Sequence, residues 1–118
     1  MIINKHNIDR FIEGTEMDCS EMNITSIEYI PDYITHLYCY YNQLTQLPKL
    51  PDNLVYLSCE FNKLTQLPKL PDNLVYLYCH NNQLTSYPNH SQDIQWWLNH
   101  NKLINRSTIL KHILHDYK

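Results

Sequence analysis

Residues 45–57 read TQLPKLPDNLVYL, and residues 65–77 read the same, letter for letter. No other feature limits the fold as sharply, because a repeat at a fixed period means one structural unit used again and again. The period is 20 residues, and it extends in both directions. Ile34, Leu37, Cys39, Asn42, Leu44, Leu47, Leu50 and Pro51 recur as Leu54, Leu57, Cys59, Asn62, Leu64, Leu67, Leu70 and Pro71. They recur again as Leu74, Leu77, Cys79, Asn82 and Leu84, with Tyr87 and Pro88 closing that unit. Upstream, Met17, Cys19, Ile24, Ile27, Ile30 and Pro31 keep the phase, with Met22 where the asparagine stands elsewhere. Downstream, Trp96, Leu98, Asn101 and Leu103 fit once a residue is deleted before Trp96; the rival frame turns Trp97 inward and puts Asn99 on the cysteine position.

Inside one period, Leu54, Leu57 and Cys59 place apolar groups as a short strand does, with Tyr56, Ser58 and Glu60 on the other face. One strand per repeat, stacked at ~4.8 Å, gives a parallel sheet. A lone repeat exposes its apolar face, whereas stacked repeats bury it. Strands are expected near residues 17–19, 36–39, 56–59, 76–79 and 95–98. Pro48, Pro51, Pro68 and Pro71 predict extended, polyproline-like return segments rather than helices. Terminal repeats need caps. Ile8, Phe11 and Ile12 lie three and four apart, which predicts a short helix over 7–13. Apolar pairs after Ser107, a good N-cap, predict a second over 106–117.

The spacing L-x-x-L-x-C-x-x-N-x-L-T-x-L-P-x-L-P resembles the leucine-rich-repeat family. Its short form is similar to repeats in bacterial-pathogen effectors and in proteins of large, AT-rich DNA viruses. The resemblance covers residues 12–104. It implies a right-handed α/β solenoid of about five coils, with a parallel sheet on the concave face, an extended convex face and helical caps. One domain then fills the chain: 1–16 as N-terminal cap, 17–104 as repeats, 105–118 as C-terminal helical cap. A viral or effector origin would set it in a host cytosol.

Composition removes several classes of function. The net charge is −3, and nine Lys and Arg form no basic block, so nucleic acid is not the expected partner. A single glycine, Gly14, excludes the phosphate-cradling loops of nucleotide folds. No apolar run approaches the ~18 residues of a membrane span, and the start lacks the pattern of a secretory signal. A cytoplasmic protein without a membrane partner is the expectation.

The chemical groups read mostly as structure. Cys19, Cys39, Cys59 and Cys79 share one inward repeat position at 20-residue spacing, unlike the close pairs of zinc sites. They are expected as reduced, small hydrophobes. Asn42, Asn62, Asn82 and Asn101 form a second ladder; in the resembling family this side chain bonds backbone at the turn leaving the strand. Glu60 and His80 stand on neighbouring strands, too few for a convincing metal site. No catalytic residue, cofactor or metal is assigned.

The open strand face carries the functional expectation. Its columns run His36, Tyr56, Tyr76, Gln95; then Tyr38, Ser58, Tyr78, Trp97; then Tyr40, Glu60, His80, Asn99, with Tyr41, Phe61 and Asn81 at the rim. Tyrosine suits strands, and cross-strand stacking alone stabilises a sheet. A contiguous exposed aromatic patch also marks a partner surface. The favoured reading is a protein-binding module using His36, Tyr38, Tyr40, Tyr56, Glu60, Tyr76, Tyr78, His80 and Trp97. The alternatives are a self-associating homodimer and, behind it, a metal-assisted enzyme using Glu60 and His80.

Overall fold

A computed structural model describes residues 1–84. The fifth expected strand (95–98), Trp97, the frame of the last repeat and the helix over 106–117 lie outside the described residues.

Seven short strands hold this part of the chain: β1 (Ile2–Ile3), β2 (Ile12–Glu13), β3 (Glu16–Asp18), β4 (Ser26–Ile27), β5 (His36–Tyr38), β6 (Tyr56–Ser58) and β7 (Tyr76–Tyr78). Strand dominates, and the only helical piece among the described residues is a 3-10 turn at Ile8–Phe11. No helix there is long and apolar enough to cross a membrane. The main sheet runs β2-β3-β5-β6-β7, while β1 and β4 form a separate parallel pair.

The repeat sets the register. Met17 pairs with Leu37, Leu37 with Leu57 and Leu57 with Leu77, all in parallel. Each step along the sheet is therefore 20 residues of chain. The ladder runs on past the strands, with Cys39 N–H donating to the Ser58 carbonyl at 2.8 Å and Phe61 N–H to the His80 carbonyl at 3.0 Å. Before each of β5, β6 and β7 a Pro-Asp turn closes, as when Leu54 N–H donates to the Pro51 carbonyl at 3.1 Å. Residues 45–52 and 65–72 contain no helix, as their prolines dictate.

One core follows from this stacking. Met17, Leu37, Leu57 and Leu77 are fully buried, as are Cys19, Cys39, Cys59 and Cys79 beside them. Ile34, Leu54 and Leu74 lie one turn earlier, and Ile24, Leu44 and Leu64 beyond the asparagines. Cys19 and Cys39 are unbridged thiols. Burial pushes the Cys19 thiol up to about 12, with the Asp18 carboxylate adding to the effect, and lifts Cys39 well above the ordinary range. These are groups suited to packing rather than to nucleophilic chemistry.

The N-terminal cap differs from expectation. In place of a helix over 7–13, the 3-10 turn ends at Ile12, which is extended (φ −114°, ψ 132°). Ile12 and Glu13 then pair antiparallel with Met17 and Glu16. The local three-and-four spacing loses to strand pairing, because an unpaired β3 edge would leave a row of backbone groups open. Gly14, at φ +63°, makes the two-residue turn between them, a conformation that hairpins of this length require and that glycine adopts without strain. The edge strand is thus antiparallel to the rest, and the cap is a hairpin.

Candidate functional site

The asparagine ladder comes first, because it fixes the loops that frame the face. Asn42 Oδ1 accepts from Met22 N–H at 3.1 Å and Ile24 N–H at 2.9 Å. Its Nδ2 donates to the carbonyls of Cys19 at 2.9 Å and Cys39 at 3.1 Å. Asn62 repeats this with Leu44 N–H, Cys39 and Cys59, and Asn82 with Leu64 N–H, Cys59 and Cys79. Each amide therefore ties its own loop to the preceding one and satisfies backbone groups that packing has hidden from water.

Just before each ladder position, held by Met22 and then by Asn42, Asn62 and Asn82, the backbone turns left-handed. Glu21, Tyr41, Phe61 and Asn81 have φ of 57°, 54°, 58° and 57°. Asparagine tolerates this region; a bulky aromatic there is strained by about 1–3 kcal/mol. Tyr41 and Phe61 nevertheless occupy it on neighbouring repeats, and their rings stack at 4.2 Å with 4° between planes. Phe61 in turn meets His80 edge-on at 5.3 Å, and Tyr40 meets Tyr41 edge-on at 6.0 Å.

Strand alternation puts the expected residues on one open face. With Leu37, Leu57 and Leu77 inward, the side chains of His36, Tyr38, Tyr56, Ser58, Tyr76 and Tyr78 stand on the other side. His36 stacks on Tyr56 at 5.8 Å, and Tyr38, Tyr76 and Tyr78 meet Tyr56 with ring planes tilted by 41°, at 5.2, 5.7 and 5.6 Å. His36, Tyr38, Tyr56, Tyr76 and Tyr78 are thus one continuous half-buried aromatic surface. Tyr40, Glu60 and His80 form the third column at its margin, half-buried as well. Trp97 lies outside the described residues. Ser58, between Tyr38 and Tyr78, is the exception: it is 3% exposed, and its hydroxyl donates to the Glu60 carboxylate.

Two carboxylates complete the columns and were not among the residues singled out from sequence. Glu16 pairs with His36 and Asp18 with Tyr38, so both begin the aromatic columns, and both are exposed. The phase of Met17 and Cys19 held the signal, since the residues between and before them must face out. Glu13, opposite Glu16 in the hairpin, adds a third acid, hidden from sequence by the helical reading. The Tyr38 hydroxyl is held above its ordinary pKa by partial burial and by the nearby Glu16 and Asp18 carboxylates, with a hydrogen bond to Glu16. Burial and the neighbouring Tyr78 and Tyr38 push Tyr56 up to about 12.

Among the described residues, no group of three or more His, Cys, Asp or Glu side chains is placed to hold a metal ion. Glu60 and His80 stand one repeat apart, with Glu60 engaged by Ser58 and His80 packed on Phe61. A comparison with known protein families and with characterised proteins returns no match.

Proposed function

We propose that this chain is a protein-binding module, built as a leucine-rich-repeat solenoid, whose aromatic strand face is the contact surface. The observation that carries the reading is the unbroken ring surface of His36, Tyr38, Tyr56, Tyr76 and Tyr78 on the side of the sheet that the core does not use. Tyrosine gives large contact area with few rotatable bonds, and such residues dominate interface hot spots. The in-register step of 20 residues and the repeated asparagine bridges support the solenoid part of the proposal. In that reading the coil is right-handed, has about five turns and continues the aromatic face to Trp97.

The partner is a protein rather than a nucleic acid, since the described residues of the face include no Lys or Arg for a phosphate backbone. A cytoplasmic setting suits buried, unbridged thiols such as Cys19 and Cys39. Neither a cofactor nor a catalytic residue is part of the proposal.

The test is affinity capture from the native cell with the wild type and with Tyr38→Ala/Tyr78→Ala, each paired with a thermal melt. Removing two hot-spot rings should weaken capture by about 2 kcal/mol or more. The melt should fall only by the loss of two ring contacts on Tyr56, about 0.5–1.5 kcal/mol each, and leave the variant folded, because neither ring lies in the core. Undiminished capture by a folded double variant would take the contact surface away from this face.

A further inference from the structure

We infer, on the basis of that face reading, that the occupant is an extended protein segment bearing arginine side chains, stacked on the tyrosine columns and paired with Glu16, Asp18 and Glu60.

The charge on the face has one sign. Among the described residues its columns include Glu16, Asp18 and Glu60, with Glu13 beside them in the hairpin, and hold neither Lys nor Arg. The cations of the described residues are elsewhere: Lys5 and Arg10 in the N-terminal segment, Lys49 and Lys69 in the proline-rich returns, and Lys63 beyond Asn62. An acidic segment would meet like charges across the sheet. A wholly apolar one would cover these carboxylates without a partner, which is costly.

The rings narrow the choice between cations. A guanidinium is flat, stacks on an aromatic face and donates to a carboxylate through two parallel N–H groups at once. An ammonium does one of these at a time. Here ring and acid come as pairs: Asp18 lies beside Tyr38 in register, and Glu16 beside His36. Glu13 and Glu16 face each other across β2 and β3, an arrangement that costs stability in a bare sheet and that a bound cation relieves.

Geometry sets the length. From β2 to β7 the sheet spans about 19 Å at ~4.8 Å per strand. An extended segment rises about 3.3 Å per residue, so about six residues cross it, alternate side chains facing the rings.

The experiment is calorimetric titration of the whole chain with an acetylated, amidated hexapeptide alternating arginine and serine, beside its lysine–serine and glutamate–serine counterparts. The arginine peptide should bind saturably and more tightly than the lysine peptide, and the glutamate peptide should give no heat. Glu16→Gln/Asp18→Asn keeps the acceptor for Ser20 N–H and should weaken arginine-peptide binding about tenfold, the effect of ~1.4 kcal/mol. Asp52→Asn/Asp72→Asn removes the same charge from the turns before the strands and should leave binding unchanged. Absence of saturable binding, equal loss in the two charge variants, or sedimentation showing that a second copy occupies the face would each overturn the inference. Capture of the native partner that needs Tyr38 and Tyr78 but ignores Glu16→Gln/Asp18→Asn would overturn it while leaving the face reading intact. If neither pair of changes affects capture and both variants fold, both readings fall together.

Discussion

The Asn62 amide donates to the Cys39 carbonyl at 3.0 Å, joining residues 23 positions apart, and to the Cys59 carbonyl of its own repeat at 3.1 Å. The same side chain accepts from Leu44 N–H at 3.0 Å. One polar group therefore closes two successive loops where water is excluded.

Asn62→Ala should accordingly destabilise the protein severely. It strands a buried N–H and carbonyls, at about 1–3 kcal/mol for each unsatisfied group. Asn62→Asp should do no better, since a carboxylate accepts where the amide must donate to two carbonyls. Chemical denaturation of both variants measures this; a midpoint within error of the wild type would mean the ladder is dispensable.

Gly14 separates a steric constraint from a conformational one. A Cβ added there meets nothing within 4 Å, yet its φ is +63°. Gly14→Ala should therefore cost about 1–2 kcal/mol through backbone conformation alone. Gly14→Asn should cost less, because asparagine visits that region more readily. Equal denaturation midpoints for wild type and the alanine variant would show that the hairpin does not need its present turn.

The interior was legible from sequence because the repeat removes ambiguity. Alternation around Leu57 and Cys59 assigns in and out, and three copies in phase leave no choice of register. Asn42, Asn62 and Asn82 bond backbone as the leucine-rich-repeat resemblance led one to expect. The N-terminal end was not legible, because Ile8, Phe11 and Ile12 satisfy a helical spacing that strand pairing overrides. A Gly-Thr pair between Ile12-Glu13 and Glu16-Met17 was the competing hairpin signal. Nor does a two-residue strand such as Ile2–Ile3, pairing with Ser26–Ile27, announce itself locally. On the face, the tyrosines followed from alternation, whereas Glu16 and Asp18 went unassigned although the phase of Met17 turns them outward. The left-handed backbone of Tyr41 and Phe61 gave no cue, since glycine and asparagine are its usual markers.

The Tyr41–Phe61 stack has a measurable coupling. At 4.2 Å and 4° the rings are in full contact across neighbouring repeats. A double-mutant cycle with Tyr41→Ala and Phe61→Ala should return an interaction energy of about 0.5–1.5 kcal/mol beyond the single effects. Additive single effects would mean that the rings are merely neighbours, held by the backbone rather than by each other.

Stability should fall steeply on the alkaline side, and the cause lies in the cysteine column. An unfolded cysteine ionises near 9.0, whereas buried Cys19 keeps its proton up to about 12 and Cys39 is shifted the same way. Between those values the unfolded chain binds fewer protons than the native one, so rising pH favours unfolding. Below pH 9 both states hold the proton, and the contribution is complete and flat. Each such thiol adds a slope of about 1.4 kcal/mol per pH unit once its unfolded form has ionised. Tyr56, raised from 10.0 to about 12, adds to the loss in the same direction at the upper end. Urea midpoints should therefore be level from pH 7 to 8.5 and decline above pH 9. Cys19→Ala removes one titrating group, so its midpoints, though lower throughout, should decline less steeply. A wild-type midpoint that stays constant to pH 11 would mean that the thiols ionise in the folded protein and that the column is open to solvent.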